Sequence, residues 1–251
     1  MVKFVSLLAV AALAAPALVT ATKLPGPGWP DYAKKIVNAE PIRVRSGEVF
    51  NGARNKYERA NVTCDGVGSL NESDAVFIVE SNATLRNVVI GTEQKLGVIC
   101  PTSDCKLEEV WITNACGTGI LAAGGSPTSL VNITSGGARG GNQIVYHTGA
   151  GRVLVDAFFA KGVDKIYRPA YSVNDKTQRK VDFVNVRAEN PTSAVAFLNR
   201  ETKDVATFTN VHVTDTTKRD EVVCVETEAS LPVGHGPSDL CKYKSTDIVF
   251  E

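Results

Sequence analysis

Six cysteines carry the most legible chemistry of this 251-residue chain: Cys64, Cys100, Cys105, Cys116, Cys224 and Cys241. An even number of thiols, with no histidine at ligand spacing from them, points to three disulfides in an oxidising compartment rather than to a zinc site. Six cysteines allow fifteen connectivities. Sequence alone does not choose among them; short loops suggest Cys100–Cys105 and Cys224–Cys241, which leaves Cys64–Cys116. The histidines His147, His212 and His235 are scattered, and His147 reads as a structural imidazole. No carboxylate lies between Thr113 and Gly151, and no acidic pair of the kind that glycosidases use is evident. Gly-x-Ser-x-Gly and phosphate-cradling glycine loops are missing too. Basic residues remain: Arg139, Arg152, Lys161, Lys165 and Arg168 could hold a polyanion if the fold gathers them.

The elements that must position these residues repeat. An apolar-x-Asn-apolar phrase recurs as Leu85-x-Asn87-Val88, Leu107-x-Glu109-Val110, Leu130-x-Asn132-Ile133, Val155-x-Ala157-Phe158, Phe183-x-Asn185-Val186 and Phe208-x-Asn210-Val211. The intervals are 22, 23, 25, 28 and 25 residues. Self-similarity at such a period marks a repeat architecture. Apolar residues alternate within each copy, and Gly, Ser, Asn and Pro punctuate between copies, so the unit is built of short strands. Stacked coils of this length form an all-β, single-domain, right-handed parallel β-helix, the hand following from parallel crossovers. The pattern predicts that Leu85, Leu107, Leu130, Val155, Phe183 and Phe208 stack in one line. It also predicts that Asn87, Asn132, Asn185 and Asn210 form part of an internal ladder at the coil corners, where amide side chains satisfy bent backbone. A core position would make Asn132 a poor glycosylation acceptor.

Both ends of such a coil need covering. Residues 22–40 are expected to cap the first coil, with Trp29 or Tyr32 packing over it. Residues 41–251 form the helix, and 216–245 read as an irregular, disulfide-closed lid or side loop. Residues 1–21, with one lysine, an apolar run and small residues at the end, read as a secretory leader cleaved between Ala17 and Ala21. No later segment approaches the ~20 apolar residues of a membrane span. Sequons at Asn61, Asn71, Asn82 and Asn132 agree with secretion. The formal net charge is zero, with no basic tail, which argues against a nucleic-acid partner. We expect a secreted, extracellular monomer.

Several phrases resemble the family-3 pectate lyases, which cleave the pectate of plant cell walls. They are Ile42 to Gly52 (IRVRSGEVFNG), LRNVVIGTEQKLGVIC, CKLEEVWITNACGTG, GGARGGNQIVYHTGAG and Asp164 to Arg168 (DKIYR), co-linear from about Pro41 to Asn210. The resemblance implies the pectin-lyase-like β-helix derived above. It also implies calcium-assisted β-elimination: a base takes the C5 proton of a galacturonate, the C4 oxygen leaves, and calcium with basic side chains neutralises the carboxylate.

By that resemblance the calcium carboxylates fall at Leu96, Gly117 and Thr118, and the base falls at Gln143. Calcium prefers several carboxylate and carbonyl oxygens, and glutamine cannot take up the C5 proton. Lys165 and Arg168 keep the family's Lys-x-x-Arg spacing and its implied role in binding and neutralising the uronate, and Arg168 is the candidate replacement base. We therefore expect a protein directed at polygalacturonate, with calcium doubtful and lysis weakened or lost. The alternative is a non-catalytic pectate-binding or elicitor-like β-helix.

Overall fold

The computed structural model describes residues 23–64, 69–102, 104–114, 116–172, 174–214 and 219–251. The expected leader lies outside these residues. The chain winds into a right-handed parallel β-helix of about seven turns, nearly all β. Each turn gives one strand to each of two sheets. The second sheet stacks Ile42–Val44, Ala75–Val79, Leu96–Cys100, Thr118–Ala122, Gln143–His147, Lys165–Pro169, Ala194–Asn199 and Cys224–Glu228, all parallel. The first sheet includes Val49–Arg59, Thr84–Ile90, Lys106–Thr113, Arg179–Glu189 and Val205–Thr214. In two turns its strand is split, into Leu130–Thr134 with Gly137–Arg139 and into Gly151–Asp156 with Phe159–Lys161.

One residue per turn bends the first-sheet strand through left-handed backbone: Asn87, Glu109, Ser135, Ala157, Asn185 and Asn210, at φ of 51–57°. Three are asparagines, the non-glycine type that tolerates this conformation most readily. Asn87 Nδ2 donates to Asn51 Oδ1 at 3.1 Å, and Asn210 Nδ2 donates to Asn185 Oδ1 at 2.7 Å. The ladder therefore exists, but it runs along the outside of the corner rather than inside it. Asn132 does not belong to it. It sits on a strand, accepts from Thr134 Oγ1 at 2.9 Å and is half-buried rather than in the core.

The expected apolar line is present with one substitution. Leu85 pairs with Leu107, Leu107 with Ile133, Ile133 with Val155, Val155 with Phe183 and Phe183 with Phe208. Ile133 takes the place expected of Leu130, because the corner of that turn is Ser135. All six members of the line are at most 2% exposed, and Phe183 and Phe208 stack with centroids 5.1 Å apart.

Three disulfides form with the expected connectivity: Cys64–Cys116, Cys100–Cys105 and Cys224–Cys241. Lys35–Asn38 adds a parallel strand to the first coil. The residues before it strap the flank of the first sheet instead of covering the end. The Pro25 carbonyl accepts from Arg187 Nε at 3.3 Å, Trp29 meets Trp111 edge-on at 5.1 Å, and Lys56 Nζ lies 4.4 Å from the Tyr32 ring centroid. The segment expected to be irregular near the C-terminus holds ordered strands. Cys224–Glu228 continues the second sheet, and Leu231–His235 returns antiparallel along its edge.

Candidate functional site

Each second-sheet strand places two residues, three apart, on its outer face. Ala75, Leu96, Thr118, Gln143, Lys165 and Ala194 follow one another in register. Beside them Ile78, Ile99, Leu121, Tyr146 and Arg168 do the same. The Lys-x-x-Arg spacing is thus the pair of outward positions of a single strand. Leu96, Thr118, Gln143 and Lys165 occupy four consecutive rungs of one column. Gly117 directly precedes the second of these.

The chemistry changes along this face. At its N-terminal end Ala75, Ile78, Leu96, Ile99 and Leu121 form an apolar cluster separate from the interior, with Leu70 and Tyr146 packed against it. Leu96 is fully buried there. A Cβ on Gly117 would come within 2.3 Å of the Lys95 carbonyl oxygen and 3.6 Å of Leu70 Cδ2. The next rungs are neutral: Gln143 Nε2 donates to Thr118 Oγ1 at 2.8 Å, and both side chains are buried. Gln143 Oε1 is buried without a protein partner. An aliphatic side chain, a bare glycine and a hydroxyl already bonded to an amide do not suit calcium. Among the described residues no three His, Cys, Asp or Glu side chains cluster as metal ligands.

Positive charge begins one rung further on. Lys165 Nζ pairs with the Asp164 carboxylate, lies 3.4 Å from Asn142 Oδ1 and sits 5.3 Å from the Phe197 ring centroid. Arg168, half-buried, has no hydrogen-bond or ion-pair partner among the described residues. Together with Tyr171, Phe197, Asn199 and Thr227 these two cations line an open cleft of about 220 Å³. A free guanidinium beside a partly neutralised ammonium and an aromatic ring can grip a carboxylate while a sugar face lies on the ring.

Behind the cleft lies a buried polar network. His147 Nδ1 is 3.0 Å from Tyr167 Oη. The fully buried Arg179 donates to the Thr148 carbonyl at 2.7 Å and to Asp175 at 2.6 Å. Asp204 accepts backbone N–H groups of Arg179 and Asn199 at 2.8 and 3.3 Å. Burial pushes the Asp204 carboxyl up to about 6. Burial, with the Arg179 charge, lowers His147 to about 4. His147 is therefore a structural imidazole facing inward.

The other basic residues do not join this face. Arg139 stacks on Trp29 at 4.4 Å, Lys161 pairs with Glu189 at 3.1 Å, and Arg152 pairs with Asp182, all along the first sheet. Tyr146, Phe197 and Asn199 escaped the sequence reading. The first two were discoverable by carrying the Lys-x-x-Arg spacing to neighbouring coils, as Gln143-x-x-Tyr146 and Ala194-x-x-Phe197. Asn199 has no such signal.

Comparison with known proteins matches residues 27–229 to the family model described as Pectate lyase. The chain is 31% identical over 222 residues to "Probable pectate lyase D" of Aspergillus fumigatus, covering 85% of this chain and 88% of that protein. It is 33% identical over 185 residues to "Probable pectate lyase F" of Aspergillus terreus, covering 73% and 78%. Among solved structures, the catalytic domain of pectate lyase PelI from Erwinia chrysanthemi superposes with a TM-score of 0.70. That match has 17% identity and covers 85% of this chain and all of that one. PelI in complex with tetragalacturonic acid matches at a TM-score of 0.67 and 16% identity, over 85% and 71%. At these identities the solved structures speak to the fold alone.

Proposed function

Since this chain belongs to the pectate lyase family, we infer that it is a secreted protein that binds polygalacturonate in the Lys165–Arg168 cleft, with calcium-assisted β-elimination weakened or lost. One observation carries this reading. The column that runs through Lys165 presents Leu96, Thr118 and Gln143 where the family resemblance assigns metal ligands and base; Leu96 is packed among apolar neighbours, and Thr118 and Gln143 are bonded to each other. Glutamine has no basic lone pair for the C5 proton. Arg168 is free to take a uronate carboxylate in a paired, charge-assisted contact. Lys165 contributes less, because Asp164 already neutralises part of its charge. Phe197 offers its ring to the apolar face of the same sugar. The tetragalacturonic acid held by PelI supports a ligand of this class. Secretion is supported by the leader-like N-terminus and the three disulfides. No helix of the described residues is long and apolar enough to cross a membrane.

The test is calorimetric titration with short oligogalacturonates, with calcium and with chelator, alongside ultraviolet detection of unsaturated product. Binding should fall with salt and be unchanged by chelator, and Arg168→Ala should weaken it about tenfold or more. Unsaturated product should stay at background. Strong calcium-dependent product would overturn the reading and make Arg168 the first candidate base. No binding at all would favour the elicitor-like alternative.

A further inference from the structure

The strap on the opposite flank builds a second cleft that the polygalacturonate reading does not use. Trp29-Pro30-Asp31-Tyr32 crosses the outer face of the first sheet. Upstream it is pinned by the Arg187 contact to Pro25, and downstream by the Ala33 N–H donating to the Arg54 carbonyl at 3.1 Å. Pro30 fixes its own φ between the two aromatic residues, so both rings are presented by a stiffened backbone. The indole of Trp29 is held edge-on by Trp111 at an interplanar angle of 77°, and the Arg139 guanidinium covers it at 4.4 Å. Tyr32 stays 49% exposed, with the Lys56 amine over its ring at 4.4 Å. The Trp29–Tyr32 segment, Lys56, Thr92 and Thr113 line an open cleft of about 520 Å³, inside the ~300–1,000 Å³ range of small-ligand sites.

The interior does not need this strap, since the core rows of the helix are filled by the strands themselves. The lining does suit a sugar. Aromatic rings offer flat apolar faces with polar tips. Threonine hydroxyls and the exposed Asp31 carboxylate can exchange hydrogen bonds with sugar hydroxyls. Charge decides which sugar. Lys56 is taken by Glu58 at 3.4 Å and by the Tyr32 ring, and Arg139 is taken by Trp29, while Asp31 adds a negative charge. The cations here are already engaged, unlike Arg168 on the other face. We propose that the Trp29–Tyr32 cleft is a second binding site, for neutral oligosaccharides of flat-faced β-1,4-linked pyranoses.

Trp29 and Trp111 are the two tryptophans of the chain, so intrinsic fluorescence reads this cleft directly. Cellohexaose and β-1,4-galactohexaose serve as probes, with an oligogalacturonate of the same length as the charged comparison. The expected result is a saturable emission change with at least one neutral probe. Tyr32→Ala should weaken it about tenfold while Tyr32→Phe, which keeps the ring, retains it. Trp29→Ala should abolish binding in calorimetry, with circular dichroism confirming the fold, and Tyr32→Ala should leave oligogalacturonate affinity unchanged. Three results would overturn the proposal: no response to neutral probes up to their solubility limit, an equal response in Tyr32→Ala, or a stronger emission change with the oligogalacturonate than with either neutral sugar.

Discussion

Leu96 anchors the apolar end of the second-sheet outer face. It is fully buried against Ala75, Ile78, Ile99 and Leu121, with Leu70 packed on the same cluster. A carboxylate placed there would be stripped of water with no cation in that cluster to pair with. We predict that Leu96→Asp destabilises the protein by about 3–5 kcal/mol, whereas Leu96→Met costs under about 1.5 kcal/mol. Urea denaturation of the two variants decides the matter, and a cost below about 1 kcal/mol for Leu96→Asp would mean the cluster is open to solvent. Gly117 resists substitution for a different reason, because any side chain there meets the Lys95 carbonyl. Placing carboxylates at both positions would therefore demand backbone movement as well as new side chains.

At the scale of elements, the network behind the cleft joins three second-sheet strands and one first-sheet strand with two titrating groups of opposite sense. His147 has a folded pKa near 4 against an ordinary 6.5, so its contribution to stability is complete above 6.5 and is lost as pH falls toward 4. Asp204 runs the other way. Its pKa is near 6 against 3.8, so its favourable protonated state is present below 3.8 and is lost as pH rises toward 6. Each shift corresponds to roughly 3 kcal/mol, so between about pH 4 and 6 the two slopes offset each other. Asp204→Asn should therefore make stability rise with pH across this window relative to wild type, and His147→Gln should make it fall. Parallel profiles for the three proteins, from denaturation midpoints measured at a series of pH values, would refute the opposition.

On the scale of the whole molecule, a solenoid gains most of its stability from contacts between adjacent coils. Ties that span several coils therefore act on cooperativity more than their number suggests. The strap is one such tie. Arg187, which holds Pro25, also pairs with Glu251 at 3.0 Å, so the N-terminal strap and the C-terminal residue meet on one guanidinium. Cys64–Cys116 is another, closing a separation of 52 residues. Both cysteines are only half-buried, so replacing them disturbs the core little. The double Cys64→Ala, Cys116→Ala variant should lose about 4 kcal/mol by the chain-entropy account. A loss under about 1 kcal/mol in urea denaturation would show that the denatured chain is not restrained by this link.

The sequence by itself determined the parallel β-helix, because alternating apolar residues at a steady period have few other ways to be buried. Short loops favoured two of the disulfide pairs, but the choice among fifteen connectivities came from the fold, which brings Cys64 and Cys116 together. Lys165 and Arg168 were legible as a Lys-x-x-Arg spacing that the family resemblance picks out, and the fold put both on the strand Lys165–Pro169. Tertiary structure alone decided the register, placing Ile133 rather than Leu130 in the apolar line. The phrase around Asn132 fits a corner as well as Asn87 does, and only the hydrogen-bond ladder selects Ser135 for the left-handed bend. Glu109, Ser135 and Ala157 make the same bend as the asparagines, so residue type does not mark it. The closing of the Leu96 end was likewise invisible, because Leu70, which packs there, comes from an earlier coil. So was the separation of the basic residues. Arg139, Arg152 and Lys161 lie near Lys165 in sequence, but strands of the same coil face different sides of the solenoid, and that geometry leaves Arg168 as the free guanidinium of its cleft.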